Sequence, residues 1–343
     1  MAKFRGKIYN DNVFEKYLKT LPSTKENGLI NGAIFKNVSK YGAKLSEQTG
    51  GYFITEPIKG RIGGEAVNYD GATNITTNER DTYFQTKIAI GRANAWGEDD
   101  FASDVTGTNF MAEAQEVKDY WDGVKQGLVL SMLKGIFGMA DGSNDNFASK
   151  HTYEVEGNLS ADDCNKASQK ALGDKKANLK VMVMHSAVST NLEGLQLINF
   201  LKYTDKDGIE RDLTIGQYNG KLVIVDDEMP VEVEGEGDEA VTKYTTYMFS
   251  EGFFEFEEVG VKTPSELARN ATERGGHTDL VSRVRYVIVP QYISYKSKTA
   301  VSPTNAQLEN GSNWEVANNA ESGVAKKFVD TKLIPVVRII SRG

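Results

Sequence analysis

Residue types able to do chemistry are sparse in this chain. It has three histidines, His151, His185 and His277, and no two stand at the spacing of metal ligands. His185 follows the apolar run Leu179 to Met184, where a strand end could offer a general base. With no partner in view, a helix-start or core histidine is the better reading. Cys164 is the single cysteine, which excludes an internal disulfide and a multi-cysteine metal site. It falls on the apolar side of a predicted helix, so it reads as a buried structural thiol and not a nucleophile.

Several strings imitate ligand-binding motifs. Gly216-Gln217-Tyr218-Asn219-Gly220-Lys221-Leu222 resembles a phosphate loop, but it is one residue short and lacks the Ser/Thr that would hold magnesium. Asn219-Gly220 explains itself as a hairpin turn. Gly235-Glu236-Gly237-Asp238-Glu239-Ala240 matches a dinucleotide pattern only as a string, because its carboxylates would repel a pyrophosphate. Asp141 to Thr152 fails as a calcium loop: Asn146 stands where glycine is needed and Thr152 where the bidentate glutamate belongs. Asp226-Asp227-Glu228 could meet a cation, although a solvated acidic loop suffices. The expectation is no catalytic residue, no cofactor, no metal and no enzyme.

Bulk properties point the same way. The 343 residues are 39% hydrophobic, 26% charged and 10% aromatic, which suits a folded soluble protein and excludes collagen or a membrane bundle. At about 100–200 residues per domain, two or three structural units fit. Lys and Arg number 40 against 48 Asp and Glu, a formal charge of −8. Such a chain is a poor general binder of phosphate backbones. No stretch approaches the ~20 apolar residues of a membrane span. The start, MAKFRGKIYNDNVFEKY, has no apolar run of a secretory signal.

The segments differ in kind. Val13, Phe14, Tyr17 and Leu18 predict a short helix ended by Pro22, but residues 1–51 cannot close a core alone. Residues 52–100 read as a long hairpin: Tyr52 to Thr55, turn chemistry at Asn68-Tyr69-Asp70-Gly71, then Thr82 to Ile90. Arms of ~14 residues would reach about 45 Å. Such a ribbon is marginal in water, so something outside it must hold it. Phe110, Ala114, Val117, Trp121, Val124 and Leu128, extended by Met132 and Ile136, predict one helix over 109–137, capped by Thr108 or Asn109.

Residues 158–277 read as an α/β unit. Ser160 to Asp163 resembles a capping box, Gly173 a stop, Leu179 to Met184 a buried strand and Ser186 a second cap. Strands are predicted at 213–218, 221–225, 244–249 and 253–257, and a long one over 281–295 with Pro290 at an edge or bend. Residues 299–332 are polar and helical in part, and 333–340 form a final strand. Trp121 belongs to the helix stripe, while core and interface readings of Trp96 both stay open. The acidic stretch 226–239 could pair with Arg269, Arg274, Arg283 and Arg285 of a neighbouring copy, or both could be solvated faces.

The order of parts matters most: an unsupported arm, a long extended loop, a glycine-bearing helix, an α/β unit and a long strand. In that order the chain resembles the major capsid proteins of tailed bacteriophages with the Hong Kong 97 fold, of the kind found in phages of Gram-positive hosts. The strings that carry the resemblance are Val67-Asn68-Tyr69-Asp70-Gly71, Ile90 to Trp96, Phe110 to Met139, Val183 to Val188, Asn219 to Asp227 and Ser302 to Ala306.

The resemblance implies an α+β fold with residues 1–51 as N-arm, 52–100 as E-loop, and 101–157 with 278–298 as a P-domain holding the spine helix. Residues 158–277 would be the A-domain, and 299–343 a C-terminal segment returning to the P- and A-domain core. It implies hexamers and pentamers of one chain closing into an icosahedral shell around double-stranded DNA, held without sequence-specific binding. A separate scaffold protein, a portal and decoration proteins are implied partners; a membrane is not. The expected location is the virion, after the host bacterial cytoplasm. Tyr69, Asp70, Tyr83, Trp96, Arg269 and Arg274 are the expected subunit-interface residues. Nothing marks a self-crosslinking pair, and none is predicted. The same fold would also serve an encapsulin-type compartment, and a soluble α/β enzyme is the reading from another class.

Overall fold

The computed structural model describes residues 3–4, 7–8, 33–47, 52–75, 77–106, 114–204, 210–235, 240–319 and 326–343. The helix expected around Val13 to Leu18, the caps Thr108 and Asn109, Phe110, and residues 236–239 lie outside them.

In chain order, β1 (Lys3–Phe4) pairs with β2 (Lys7–Ile8). Strand β3 (Phe35–Asn37) and helix α1 (Tyr41–Glu47) come next. Strands β4 (Phe53–Lys59) and β5 (Thr82–Asp99) flank the long loop. Helices α2 (Asp100–Thr106), α3 (Ala114–Phe137) and α4 (Phe147–Lys150) follow. Then come β6 (Thr152–Asn158), α5 (Asp163–Leu172), β7 (Val181–Met184) and α6 (Ser186–Gly194). Next are β8 (Asn199–Thr204), β9 (Glu210–Tyr218), β10 (Lys221–Val225), β11 (Val231–Glu234) and β12 (Val241–Phe249). The chain continues with β13 (Phe254–Glu258), β14 (Ser265–Asn270), β15 (His277–Pro290) and β16 (Ile293–Tyr295). It closes with α7 (Asn305–Glu309), β17 (Trp314–Val316) and β18 (Val336–Arg342).

Two larger sheets organise the described residues. One runs β6-β18-β12-β7-β10-β9-β8, with β11 beside β12. Its centre is the fully buried Val181 to Met184, parallel to β10 and antiparallel to β12. A run buried on both faces is why these residues are apolar without alternation. Asn219 and Gly220, both at positive φ, turn β9 into β10 and seat Lys221 opposite Tyr218. The other sheet runs β3-β13-β15-β5-β4, with β14 beside β15. Residues 253–277, grouped by sequence with the α/β unit, thus pair into this second sheet, while β6 and β18 join the first.

Helix α3 lies against the core. Leu128, Met132 and Ile136 of the predicted stripe are buried, and so are Val129, Leu133 and Phe137 beside them. The stripe widens beyond one row because Phe147, Val183, Tyr247, Phe249 and Trp314 share its cluster, while Lys134 stays exposed. A second cluster, under α5 and α6, joins Cys164, Leu172, Met182, Val188, Met248 and Ile339.

Local details depart from expectation in three places. The hairpin is shorter: β4 pairs with β5 over Phe53–Lys59 and Thr82–Ile88, and the described residues between 60 and 81 carry no strand. The far half of β5 pairs instead with β15, from Ala89↔Val287 to Asp99↔His277. The cap of α6 is His185, whose Nδ1 accepts from Ala187 N at 3.1 Å, and not Ser186. At α5, Asp163 Oδ2 accepts from both Ser160 N and Ser160 Oγ, so the Ser hydroxyl closes onto the acid and not onto the helix backbone.

Candidate assembly surfaces

The loop between β4 and β5 is the most exposed part of the described chain. Tyr69 is 91% exposed, Ile62 82% and Ile75 74%. Its turn is built by Asp70: Oδ1 accepts from Ala72 N and Thr73 N at 2.9 and 2.7 Å, and Oδ2 from Thr73 Oγ1 at 2.8 Å. These hydrogen bonds hold the carboxyl down at about 2. Gly71, at φ +76°, completes the turn where a side chain would be strained. The tip is therefore ordered by its own turn while its apolar residues face outward.

The base of the loop is fixed by charge. Lys87 on β5 reaches Glu56 Oε2 on β4 at 2.5 Å and Tyr41 Oη on α1 at 2.7 Å. Tyr41 donates to Glu255 on β13, and Lys44 pairs with Glu56. Glu257 accepts from the backbone N–H of Lys40, Tyr41 and Gly42, the free donors at the start of α1. Four separate stretches of chain meet in this network. Tyr83 sits nearby, half-buried and packed on the main core. Asp81 beside the loop pairs with Lys327, and Phe84 N donates to Asn318 O, so the C-terminal segment also clamps this base.

A second surface is the ribbon of β5, β15 and β14. Arg269 holds Asp100 with both terminal nitrogens, at 2.9 and 2.6 Å. Arg274 stands 3.9 Å from Asp99 and 3.5 Å from Glu273, and Arg283 pairs with Glu266. Three of the four arginines considered as partners for a neighbour's acids thus have partners in their own chain. Trp96, on the same ribbon face as Arg269 by register, packs edge-on to Tyr120 and Trp121, with Trp121 Nε1 donating to Ser282 Oγ at 3.0 Å. Phe101, Val105 and Tyr120 remain exposed here.

The structure therefore gathers Tyr69 with Asp70 at the tip, and Trp96, Arg269 and Arg274 on the ribbon; Tyr83 stands apart at the loop base. Ile62, Ile75, Lys87 and Tyr41 were missed by sequence reasoning. The two isoleucines were legible as apolar residues in a polar loop, whereas the Lys87 network depends on register.

Cys164, His151 and Asp226 each face the interior. Burial pushes the Cys164 thiol up to about 12. His151 is fully buried, stacks on Phe147 and holds Val336 O at 2.7 Å through Nδ1. Asp226 is buried and accepts from Gln126 Nε2 at 2.5 Å, so it turns inward to α3. Among the described residues no group of three His, Cys, Asp or Glu is placed to hold a metal ion.

No protein-family model matches the chain. The major capsid protein of Bacillus phage SPP1 is 28% identical over 296 residues, which covers 85% of this chain and 87% of that relative. The capsid of Ralstonia phage GP4 superposes with a TM-score of 0.56 at 9% identity, covering 91% of this chain and 88% of the other. The Cyanophage Pam1 capsid asymmetric unit gives 0.52 at 12% identity, over 90% and 88%. The fold of this chain is thus the Hong Kong 97-type α+β fold that these phage capsids share. The similarity to a phage major capsid protein bears out the sequence resemblance to the major capsid proteins of tailed phages.

Proposed function

We propose that this chain is the major capsid protein of a tailed phage, with a structural and not a catalytic role. Copies of it assemble as hexamers and pentamers into the icosahedral head that encloses double-stranded DNA. The observation that carries this is the relationship to a phage major capsid protein along 85% of the chain, joined to a fold of the same class. The exposed loop tip adds support, since its apolar residues need a partner that a single copy does not offer.

In this reading residues 1–51 are the N-arm, 52–100 the E-loop, 101–157 with 278–298 the P-domain, 158–277 the A-domain and 299–343 the segment that returns to the core. Tyr69 and Asp70, with Ile62 and Ile75, seat on the exposed strip Phe101, Val105 and Tyr120 of a neighbouring copy. Trp96, Arg269 and Arg274 line that strip, and Tyr83 holds the loop at its root. A scaffold protein directs assembly in the host cytoplasm, a portal marks one vertex, and decoration proteins add to the finished virion. The net charge of −8 suits a container that does not grip the DNA it holds.

Expression of the chain with its genomic neighbours, followed by negative-stain microscopy, tests the proposal. Uniform closed shells with packaged DNA are expected. A discrete small oligomer would overturn it, and shells loaded with an enzyme cargo would assign the chain to the encapsulin-type compartments instead. Tyr69→Ala and Ile62→Ser should lower the yield of shells without changing the melting temperature of the unassembled chain.

A further inference from the structure

His277 begins β15 directly opposite Asp99 at the end of β5, and Asp279 lies opposite Gly97. Residues two apart share a face, so Gly97, Asp99, His277 and Asp279 form a square on one side of the ribbon. Inside it the imidazole has Nδ1 2.6 Å from Asp99 Oδ1 and Nε2 3.1 Å from Asp279 Oδ1. The ring lies across Gly97, where an added Cβ would meet Cε1 at 2.7 Å. An imidazole can donate from both nitrogens only when it carries its second proton.

We infer that His277 is a proton-controlled clasp for the ribbon tip. Protonated, it ties the end of β5 to the start of β15 and keeps the 271–276 turn closed. Neutral, it retains one N–H and faces one of the two carboxylates with a lone pair, so the tip loosens. The surrounding charges bias it toward the closed form. Glu98 and Asp99 come from β5 and Asp100 from α2. Glu273 comes from the turn and Asp279 from β15, against Arg269 of β14 and Arg274 of the turn. Hydrogen bonding to Asp99 raises the histidine above its ordinary value, with Asp279 adding to it. A raised histidine stabilises below the ordinary value of about 6.5 and loses that contribution as pH climbs through the folded value.

Hydrogen exchange of peptides spanning 265–282, corrected for intrinsic rates and followed from about pH 5 to about pH 9, brackets the ordinary histidine value. Protection should fall with rising pH in this segment and stay level in the spine helix. NMR titration of the His277 ring in the full chain should give a value above that of an exposed histidine. His277→Gln should show low, pH-independent protection, and Asp279→Asn should move both the titration and the loosening to lower pH. A ring that titrates at or below the ordinary value, or protection that ignores pH in the unaltered chain, would overturn the inference. Both readouts are local and do not need a shell to form.

Discussion

Lys87 Nζ stands 2.5 Å from Glu56 Oε2, diagonally across the β4–β5 pair, and the lysine side chain is only 3% exposed. The ammonium also meets Tyr41 Oη, and Glu255 lies within 3.9 Å. Burial opposes the charge on Lys87 and its partners favour it. Removing Lys87 leaves Glu56 with Lys44 and Glu255 with Lys40 as their remaining cations, both carboxylates being partly exposed. Lys87→Ala should therefore destabilise the chain by about 2 kcal/mol in urea unfolding, between a surface pair and a broken buried one. Lys87→Met should cost less, because it keeps the packing of the stem. A loss for Lys87→Ala of no more than ~1 kcal/mol, the scale of a surface pair, would show that the network is not the anchor of the loop base.

Acid should weaken the fold in two steps. Burial pulls the His151 ring down to about 4, against the hydrogen bond to Val336 O. A depressed histidine supports folding above its unfolded value of 6.5 and loses that support as pH falls to about 4. This step is worth on the order of 3 kcal/mol. For Glu56 burial raises the carboxyl, but hydrogen bonds from Lys44 and Lys87 outweigh it and hold it at about 2. Its contribution is present above 4.5 and fades between 4.5 and about 2. Chemical unfolding across this range should show both steps. His151→Phe should remove the first and Glu56→Gln the second.

The turn at Asp70 predicts a separation of stability from assembly. The carboxylate orders only exposed backbone at Ala72 and Thr73. Asp70→Ala should leave the melting temperature of the unassembled chain unchanged and reduce shell yield in light scattering. Asp70→Asn, which keeps one acceptor oxygen, should fall between. Equal shell yields for Asp70→Ala and the unaltered chain would exclude the tip as an assembly contact.

What was legible in the sequence follows from range. The Asn219-Gly220 hairpin, the stop at Gly173 and the 3–4 spacing of Trp121, Val124, Leu128 and Met132 are local signals, and each appears where expected. The apolar run Val181 to Met184 announces a strand covered on both faces, yet not that β18, more than 150 residues later, belongs to the same sheet. The surroundings of the expected interface residues needed register. Arg269 and Arg274 read as free cations, because only folding brings Asp99 and Asp100 to them. At His277 only Asp279 is a local neighbour; the second acid on its ring, Asp99, comes from a strand pairing 178 positions away.

The spine helix carries a test of opposite sign at two glycines. Replacing an interior helical glycine by alanine ordinarily stabilises by up to ~1 kcal/mol, because alanine loses less backbone freedom on folding. At Gly127 an added Cβ would have nothing within 4 Å, so Gly127→Ala should show this gain. At Gly135 the same atom would lie 1.9 Å from Leu308 O and 2.5 Å from Trp314 Nε1. Those two atoms are joined by a hydrogen bond of 2.6 Å that docks the C-terminal segment onto the helix. Gly135→Ala must push this docking apart, and overpacking of this kind costs about 1–3 kcal/mol. Thermal unfolding should thus rank Gly127→Ala above the unaltered chain and Gly135→Ala below it. Trp314 fluorescence should report the change only in the second variant. If both substitutions stabilise, the C-terminal segment does not sit on the helix at Gly135, and the close backbone approach described there is wrong.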